Sequence, residues 1–244
     1  MASIWTRQIL TWVLAGLATI LLAILALHKL RQDRATVRLG DQRLEVPSSY
    51  LDAMGQAPAW LQTLPGLDTN SRSILLIIPA DDIKSAIPEY KANDGRYRNN
   101  LQLHLVALDG HEKRRHESSE EFADIWRSQG TYHGRIVERD PRHPIFRVYR
   151  KIEYQDAWEA FTINPDSTQL PDDRFRFWLG NCLLANSPLT QSGQIQNCSS
   201  YAIVGNIAIF FRFNGDNITL IPKLREHLIQ RVSDWRRSHS NRQQ

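Results

Sequence analysis

The sequence has little cysteine and lacks the short motifs of the common enzyme classes. Only two cysteines occur among its 244 residues, and it contains no GxxxxGK[ST], GxGxxG, GxSxG or HExxH. These motifs mark phosphate-binding loops, dinucleotide-binding folds, serine hydrolases and zinc proteases. The sequence therefore predicts a protein that is not an enzyme and that holds no cofactor and no metal.

The composition excludes a wholly disordered chain and a polytopic membrane protein. Hydrophobic residues make up 42% of the chain and charged residues 23%, close to the usual values for globular proteins. The net charge of +4 suggests nucleic acid as a partner, but most of it lies in residues 1–34, where four cations face a single carboxylate, Asp33. The rest of the chain is close to neutral, so no nucleic-acid partner is predicted.

One long apolar segment lies near the amino terminus. Residues 9–28 contain no Asp, Glu, Lys or Arg and consist mostly of Leu, Ile, Ala and Val. As a helix this segment would span about 30 Å, the thickness of the hydrocarbon core of a bilayer. We predict a single-pass transmembrane anchor in the lipid bilayer, after a short tail (1–8) and before a juxtamembrane linker (29–35). A cleaved signal peptide is the alternative, although its apolar region is usually shorter.

Two signals disagree about the side of the membrane on which the rest of the chain lies. More cations follow the anchor, at residues 29–38, than precede it at Arg7, which favours the cytoplasm. The cysteines favour export, because Cys182 and Cys198 suit a single structural disulfide, and such bonds persist in oxidising compartments. Two buried free thiols are the alternative. We expect a bacterial inner-membrane protein whose carboxyl-terminal domain is periplasmic.

Residues 36–237 are predicted to form one α+β domain, followed by a polar tail (238–244). Strands are predicted at Thr36–Val46 (a hairpin), Ser73–Ile78, Leu101–Ala107, Ile145–Ile152, Ala157–Ile163, Phe175–Leu184 and Ser199–Phe213 (a hairpin). Helices are predicted at Asp81–Ile87, Ser118–Gln129 and Ile221–Arg237. Because strands outnumber helices and come in hairpins, we expect a mostly antiparallel sheet with a few packed helices, including a C-terminal amphipathic helix.

Several polar clusters are interpreted as structural. Three cations within residues 111–117 oppose a divalent ion, so this His- and Glu-containing segment is predicted to be a solvated loop. The acidic pairs at 120–121 and 172–173 fit a helix start and a turn. The Asx residues around Asp216 fit a turn better than a calcium loop. Cations alternate with aromatic residues in 139–151, which indicates the solvated face of a strand rather than a nucleic-acid surface.

The candidate partner interface consists of Trp126, Tyr132, His133 and Arg135. Tyrosine, tryptophan and arginine are the residues that most often anchor protein interfaces, and these four lie near the end of one predicted helix. The alternative is that Trp126 belongs to the core and the other three are ordinary loop residues.

Three features together define the layout of the chain: the apolar run Ile9–Leu27, the hairpin Val37–Val46 followed by Pro47, and the Cys182/Cys198 pair before the Gly205-Asn206 turn. This layout resembles the membrane-anchored periplasmic immunity proteins that bacteria keep against secreted antibacterial toxins. The resemblance implies a stoichiometric binder that covers the active site of a toxin, with an anchor that raises its local concentration. It rests on layout rather than on a motif, so it assigns no functional residue.

Two other functions stay open from the sequence. One is an assembly or scaffold protein of the cell envelope without catalytic activity. The other is an envelope enzyme whose site combines distant residues such as His104, His133 and Asp140. A deep pocket lined by several titratable groups would favour the enzyme.

Overall fold

The computed structural model describes residues 34–52, 72–92, 99–118, 120–150, 156–186 and 194–240. The predicted tail at 1–8, the anchor at 9–28 and most of the linker lie outside these residues. None of the helices within the described ranges is long and apolar enough to cross a membrane.

The first two strands form a separate hairpin. β1 (Arg34–Leu39) and β2 (Gln42–Pro47) pair antiparallel around the predicted turn at Gly40-Asp41. Gly40 has a φ of +60°, which places glycine at the first central position of a tight hairpin turn. The hairpin prediction is therefore confirmed. A short helix, α1 (Ser49–Asp52), follows it.

The remaining strands of the described ranges form one eight-stranded sheet. They are β3 (Ser73–Ile78), β4 (Leu101–Ala107), β5 (Ile136–Arg139), β6 (Phe146–Tyr149), β7 (Ala157–Phe161), β8 (Trp178–Asn186), β9 (Gln194–Val204) and β10 (Ile207–Asn214). Their order in the sheet is β3-β4-β10-β9-β8-β7-β6-β5, and every neighbouring pair is antiparallel. Strands β5 to β10 thus form a continuous meander, and β4 and β3 extend it beyond β10.

The helices of the sheet domain are α2 (Ala80–Ala86), α3 (Gly110–Glu117), α4 (Glu120–Arg127) and α5 (Ile221–Ser240). Short 3-10 turns lie at Gly130–Tyr132, Arg174–Arg176 and Gly215–Leu220. The prediction of an α+β fold with a mostly antiparallel sheet is confirmed.

One face of the sheet is covered by α5 and the β1–β2 hairpin. The apolar side of the predicted amphipathic helix is a stripe in α5 whose members are at most 7% exposed: Ile221, Leu224, Leu228, Val232 and Trp235. It packs in one cluster with alternate residues of the sheet, such as Leu103 and Phe211. Because the spacing of the stripe follows the helical repeat, one side of α5 supplies much of this core.

The opposite face is covered at one end by α3 and α4. Phe122, Ile125 and Trp126 of α4 lie at most 8% exposed against a cluster that includes Phe161 and Tyr201. Trp126 contacts Phe161 edge to face, with ring centroids 4.8 Å apart. His116 of α3 contacts Tyr201 in the same way, at 5.5 Å. No helix of the described ranges covers the other end of this face.

The prediction of a solvated loop at 111–117 is wrong, because this segment forms α3. The Asp109 side chain accepts hydrogen bonds from the N–H groups of His111 and Glu112, and Glu112 in turn accepts one from the Asp109 N–H. This capping box begins the helix. Ser118, which was predicted to begin the next helix, ends α3 instead, since its N–H donates to the Arg114 carbonyl at 3.0 Å.

Two strand predictions also need correction. The strand predicted from Phe175 begins at Trp178, because Asp173 accepts a hydrogen bond from the Phe175 N–H and caps a 3-10 turn before it. Strand β5 was not predicted, since its four residues are too few for a clear alternation.

Candidate functional site

The open part of the sheet carries two rows of side chains that run across neighbouring strands. The first row consists of the successive cross-strand partners Ala157, Leu183, Asn197 and Asn214. The second row consists of Glu159, Asn181, Ser199, Arg212 and Gln102. Residues two apart in a strand share a face, so both rows point to the same side of the sheet. They line a concave space of about 1020 Å³, which we call the trough.

The trough is exposed and mostly uncharged. Leu183 is 51% exposed and is the one large hydrophobic side chain exposed in the described part of the chain. Asn181, Asn197 and Gln102 are also exposed. A carboxamide side chain offers both donors and an acceptor, so this surface can exchange hydrogen bonds with a polar partner in either direction.

Arg212 places a positive charge in the middle of the trough. Its side chain is exposed, and it makes no hydrogen bond or ion pair with any residue that the structure describes. Its cross-strand partners are Ser199 and Gln102, both uncharged. The guanidinium is therefore available to an anion from outside.

Glu159 is the one carboxylate among the described residues that line the trough. It accepts hydrogen bonds from the Tyr132 hydroxyl at 3.1 Å and from the Trp178 indole N–H at 2.8 Å. The Arg150 guanidinium lies 5.4 Å from the centre of the Tyr132 ring. Burial, and then the charge of Glu159, raise the pKa of Tyr132 well above its usual value. Glu159 is thus a fixed structural anion at one end of the trough.

A disulfide joins Cys182 and Cys198, as predicted from their spacing. The two residues are direct cross-strand partners in β8 and β9 and lie on the face opposite the trough. The bond therefore holds these two strands at a fixed spacing beneath both rows.

A buried arginine of α5 supports the same strands. Arg225 is 6% exposed, and its guanidinium donates hydrogen bonds to the carbonyl oxygens of Tyr201 (3.0 Å), Phe175 (2.8 Å) and Trp178 (2.9 Å) and to the Ser200 hydroxyl (2.8 Å). Burial, and then the charge of Arg174, lower the pKa of Arg225 to about 10. Sequence reasoning missed this residue, although its place in α5, four positions after Ile221, is a signal that it faces the core.

A second buried arginine, Arg174, binds the carbonyl groups at the carboxyl end of helix α3. It is 1% exposed and donates hydrogen bonds to the carbonyl oxygens of Ser118, at 2.9 Å, and His116. A cation at the end of a helix is favoured by the helix dipole. Arg174 therefore fixes α3 over the aromatic end of the sheet, next to the trough.

The four residues of the predicted interface differ in burial and do not form one exposed surface. Trp126 of α4 is buried against Phe161 of the sheet, and Tyr132 is 7% exposed and lines the trough. His133 is exposed, and Arg135 donates a hydrogen bond to Asp166 at 2.6 Å. Tyr132 is thus the one member that joins the trough, and the interface stays a prediction.

The residues suggested for an enzyme site do not contact one another. His104 is exposed on β4 beside Phe210, and His133 lies in an exposed turn. Asp140 accepts hydrogen bonds from the N–H groups of Arg142 (2.7 Å) and His143 (2.9 Å) and pairs with Arg147. Burial raises the pKa of Asp140, but these donors and the Arg147 charge outweigh it and lower the pKa. Asp140 therefore has a structural role.

No group of His, Cys, Asp and Glu side chains within the described ranges could hold a metal ion. The His- and Glu-containing segment of α3 instead contributes Glu112 to the cap and His116 to an aromatic contact. Among the described residues that line the trough, Tyr132 and Glu159 are hydrogen-bonded to each other, and Arg212 makes no hydrogen bond with a described residue.

The structure defines an α+β domain in which helices cover one face of the sheet and part of the other. A disulfide links strands β8 and β9 of this sheet. No protein-family model matches the chain, and no curated protein matches it. Among solved structures, the chain is similar to an immunity protein of the Stenotrophomonas maltophilia type IV secretion system, with 12% identity and a TM-score of 0.45. The match covers 83% of this chain and 93% of that one. That protein belongs to the class that the layout of this sequence resembles.

Proposed function

We propose that this chain is an immunity protein that neutralises a secreted antibacterial toxin by binding it, without catalytic activity of its own. The observation that carries this proposal is the trough, a concave and largely uncharged surface on a covalently stapled sheet. Such a surface suits recognition rather than catalysis, because Glu159, the one carboxylate among its described residues, is already bound by Tyr132 and Trp178.

The constraints on the strands of the trough support the proposal that this protein binds its partner stoichiometrically. Strands β8 and β9 are tied to each other by the disulfide and to α5 by Arg225. A surface that is ordered before binding loses little conformational entropy when a partner docks, so more of the contact energy appears as affinity.

Export and membrane anchoring are part of the same proposal. The disulfide supports an oxidising compartment such as the periplasm. The apolar run at 9–28 supports an anchor in the inner membrane. An anchored inhibitor would meet an incoming toxin at a high local concentration.

The direct test combines binding with survival. The full chain, tagged after Gln244 and extracted oxidised from membranes, is purified together with the product of the neighbouring toxin-like reading frame. We expect a stoichiometric complex, and we expect a deletion strain to lose fitness in mixed culture with the parent strain. Absence of both effects would contradict the immunity function and favour an envelope scaffold.

The topology has a separate test. Alkaline phosphatase fused after Gln244 is active only in the periplasm, so we expect an active fusion. An inactive fusion, together with an active β-galactosidase fusion at the same position, would place the domain in the cytoplasm and overturn the export proposal.

A further inference from the structure

We propose that the trough binds an extended, acidic segment of a protein partner, with Arg212 paired to a carboxylate of that segment. This inference rests on the proposed function, because it takes the partner to be a protein, and it adds the chemistry by which the partner is recognised. The juxtaposition that carries it is the Arg212 guanidinium, which pairs with no described residue, beside the open carboxamides of the two rows.

Charge is the first argument. Among the described lining residues the charged side chains are Arg150, Glu159 and Arg212. Glu159 is satisfied by two hydrogen bonds, and Arg150 lies next to it, over the Tyr132 ring. The charge of Arg212 is left without a counterpart within the described residues. A guanidinium presents its donors as a planar fork that matches the two oxygens of a carboxylate, which makes an acidic side chain its natural ligand.

The carboxamides are the second argument. The side chains of Asn197 and Gln102 make no hydrogen bond within the described part of the chain, and Asn181 only accepts one from the Ser199 hydroxyl. Each of them can donate and accept, as a peptide group does. A segment that runs along the rows can therefore satisfy its main-chain N–H and C=O groups on these side chains.

The burial of the aromatic residues near the trough favours a polypeptide ligand over a glycan or a nucleic acid. Sugars and bases are usually bound by stacking on exposed aromatic rings. Tyr132 at the trough, and Trp158 and Phe213, which alternate in their strands with the row residues, are at most 7% exposed. The exposed apolar group is instead Leu183, an aliphatic side chain that suits contact with another side chain.

Substitutions at Arg212 test the inference on the toxin complex. We expect R212E to weaken binding about 100-fold and R212K about 10-fold, because lysine keeps the charge but loses the fork. R43E is the matched control, since Arg43 is exposed on β2 of the hairpin that covers the other face, and we expect less than a twofold change. L183S should weaken binding about fivefold, because a covered aliphatic contact is lost.

The outcomes separate this inference from the proposed function. If the wild-type chain binds the toxin but R212E and L183S bind as tightly, the trough inference is overturned and the immunity function stands. If the wild-type chain binds no toxin, the proposed function fails, and the trough is then tested with a defined probe.

That probe is a capped peptide of alternating valine and glutamate, compared with its glutamine version and with a neutral chitin oligosaccharide. We expect the glutamate peptide at millimolar concentration to shift the NMR signals of the Arg212 side chain and of the Asn181 and Leu183 amides. The glutamine peptide and the oligosaccharide should leave them unchanged. Shifts with the oligosaccharide alone, or with none of the probes, would overturn the inference.

Discussion

Cys182 and Cys198 face each other directly across β8 and β9, with their Cα atoms 4.0 Å apart. Each cysteine lies between two trough residues in sequence: Cys182 between Asn181 and Leu183, and Cys198 between Asn197 and Ser199. Because side chains alternate along a strand, the disulfide lies behind the trough and beneath both of its rows. The same bond thus contributes to stability and fixes the surface proposed to bind the partner.

Removing the disulfide should destabilise the protein. The double substitution C182S/C198S opens a loop of 16 residues, for which the chain-entropy model gives a loss of about 3 kcal/mol. Urea denaturation with and without dithiothreitol measures the effect. The wild-type midpoint should fall on reduction, whereas the midpoint of the double variant should not respond. Equal midpoints for the oxidised and reduced wild type would contradict this prediction.

Substitution of Arg225 should destabilise the packing of α5 on the sheet. R225M removes four hydrogen bonds, three of them to main-chain carbonyls, and should lower the free energy of unfolding by about 3 kcal/mol. R236M, in the same helix, removes an arginine with no hydrogen bond to the described residues and should change stability by about 0.5 kcal/mol or less. Similar losses in both variants would show that Arg225 has no special role.

Acidification should destabilise the protein through His227. Burial, and then the charge of Arg231, lower the pKa of His227 below its ordinary value of 6.5. The unfolded chain then binds the proton more strongly, so stability falls as the pH drops below 6.5 and through the folded-state pKa, and is unaffected by this group above 6.5. H227Q should lose less stability than the wild type between pH 7 and pH 5 in urea titrations. Parallel losses would contradict this assignment.

A side chain at Gly180 should distort β8. Gly180 has a φ of +152°, and a Cβ there would overlap the carbonyl oxygen of Ser199 in β9. G180A should therefore cost about 3 kcal/mol, because rigid backbone has to move. Gly134 also has a positive φ, of +73°, but nothing lies within 4 Å of its Cβ position, so G134A should cost only about 1 kcal/mol. Equal costs in thermal denaturation would exclude the overlap as the cause.

Local signals made the hairpins and α5 predictable. The turns at Gly40-Asp41 and Gly205-Asn206 each place glycine at the first central position between alternating strands. The stripe from Ile221 to Trp235 repeats with the period of a helix and is buried along its length. In each case neighbours in sequence determine the geometry, so the pattern is visible without the fold.

Helix α3 and the trough were not predictable in this way. α3 buries none of its residues, so it has no apolar periodicity, and the Asp109–Glu112 capping box is its one strong local signal. The rows of the trough depend on the register of strands that are distant in sequence. In its own strand Arg212 has the pattern of an ordinary solvated residue, and only its pairing with Ser199 and Gln102 places it in the trough.

The position of β10 determines when the molecule can fold. β10 is the last strand in the described ranges, yet it lies between β4 and β9, and its residue Phe211 pairs with Leu103 of β4, 108 residues earlier in the sequence. Closing so large a loop is slow, and β4 has no partner on that side until the end of the chain is available. Strand β4 can therefore complete its pairing only after β10 has emerged, whether the chain leaves a ribosome or a translocation pore. Truncation after residue 206 would accordingly prevent folding of the whole sheet rather than trim one edge of it.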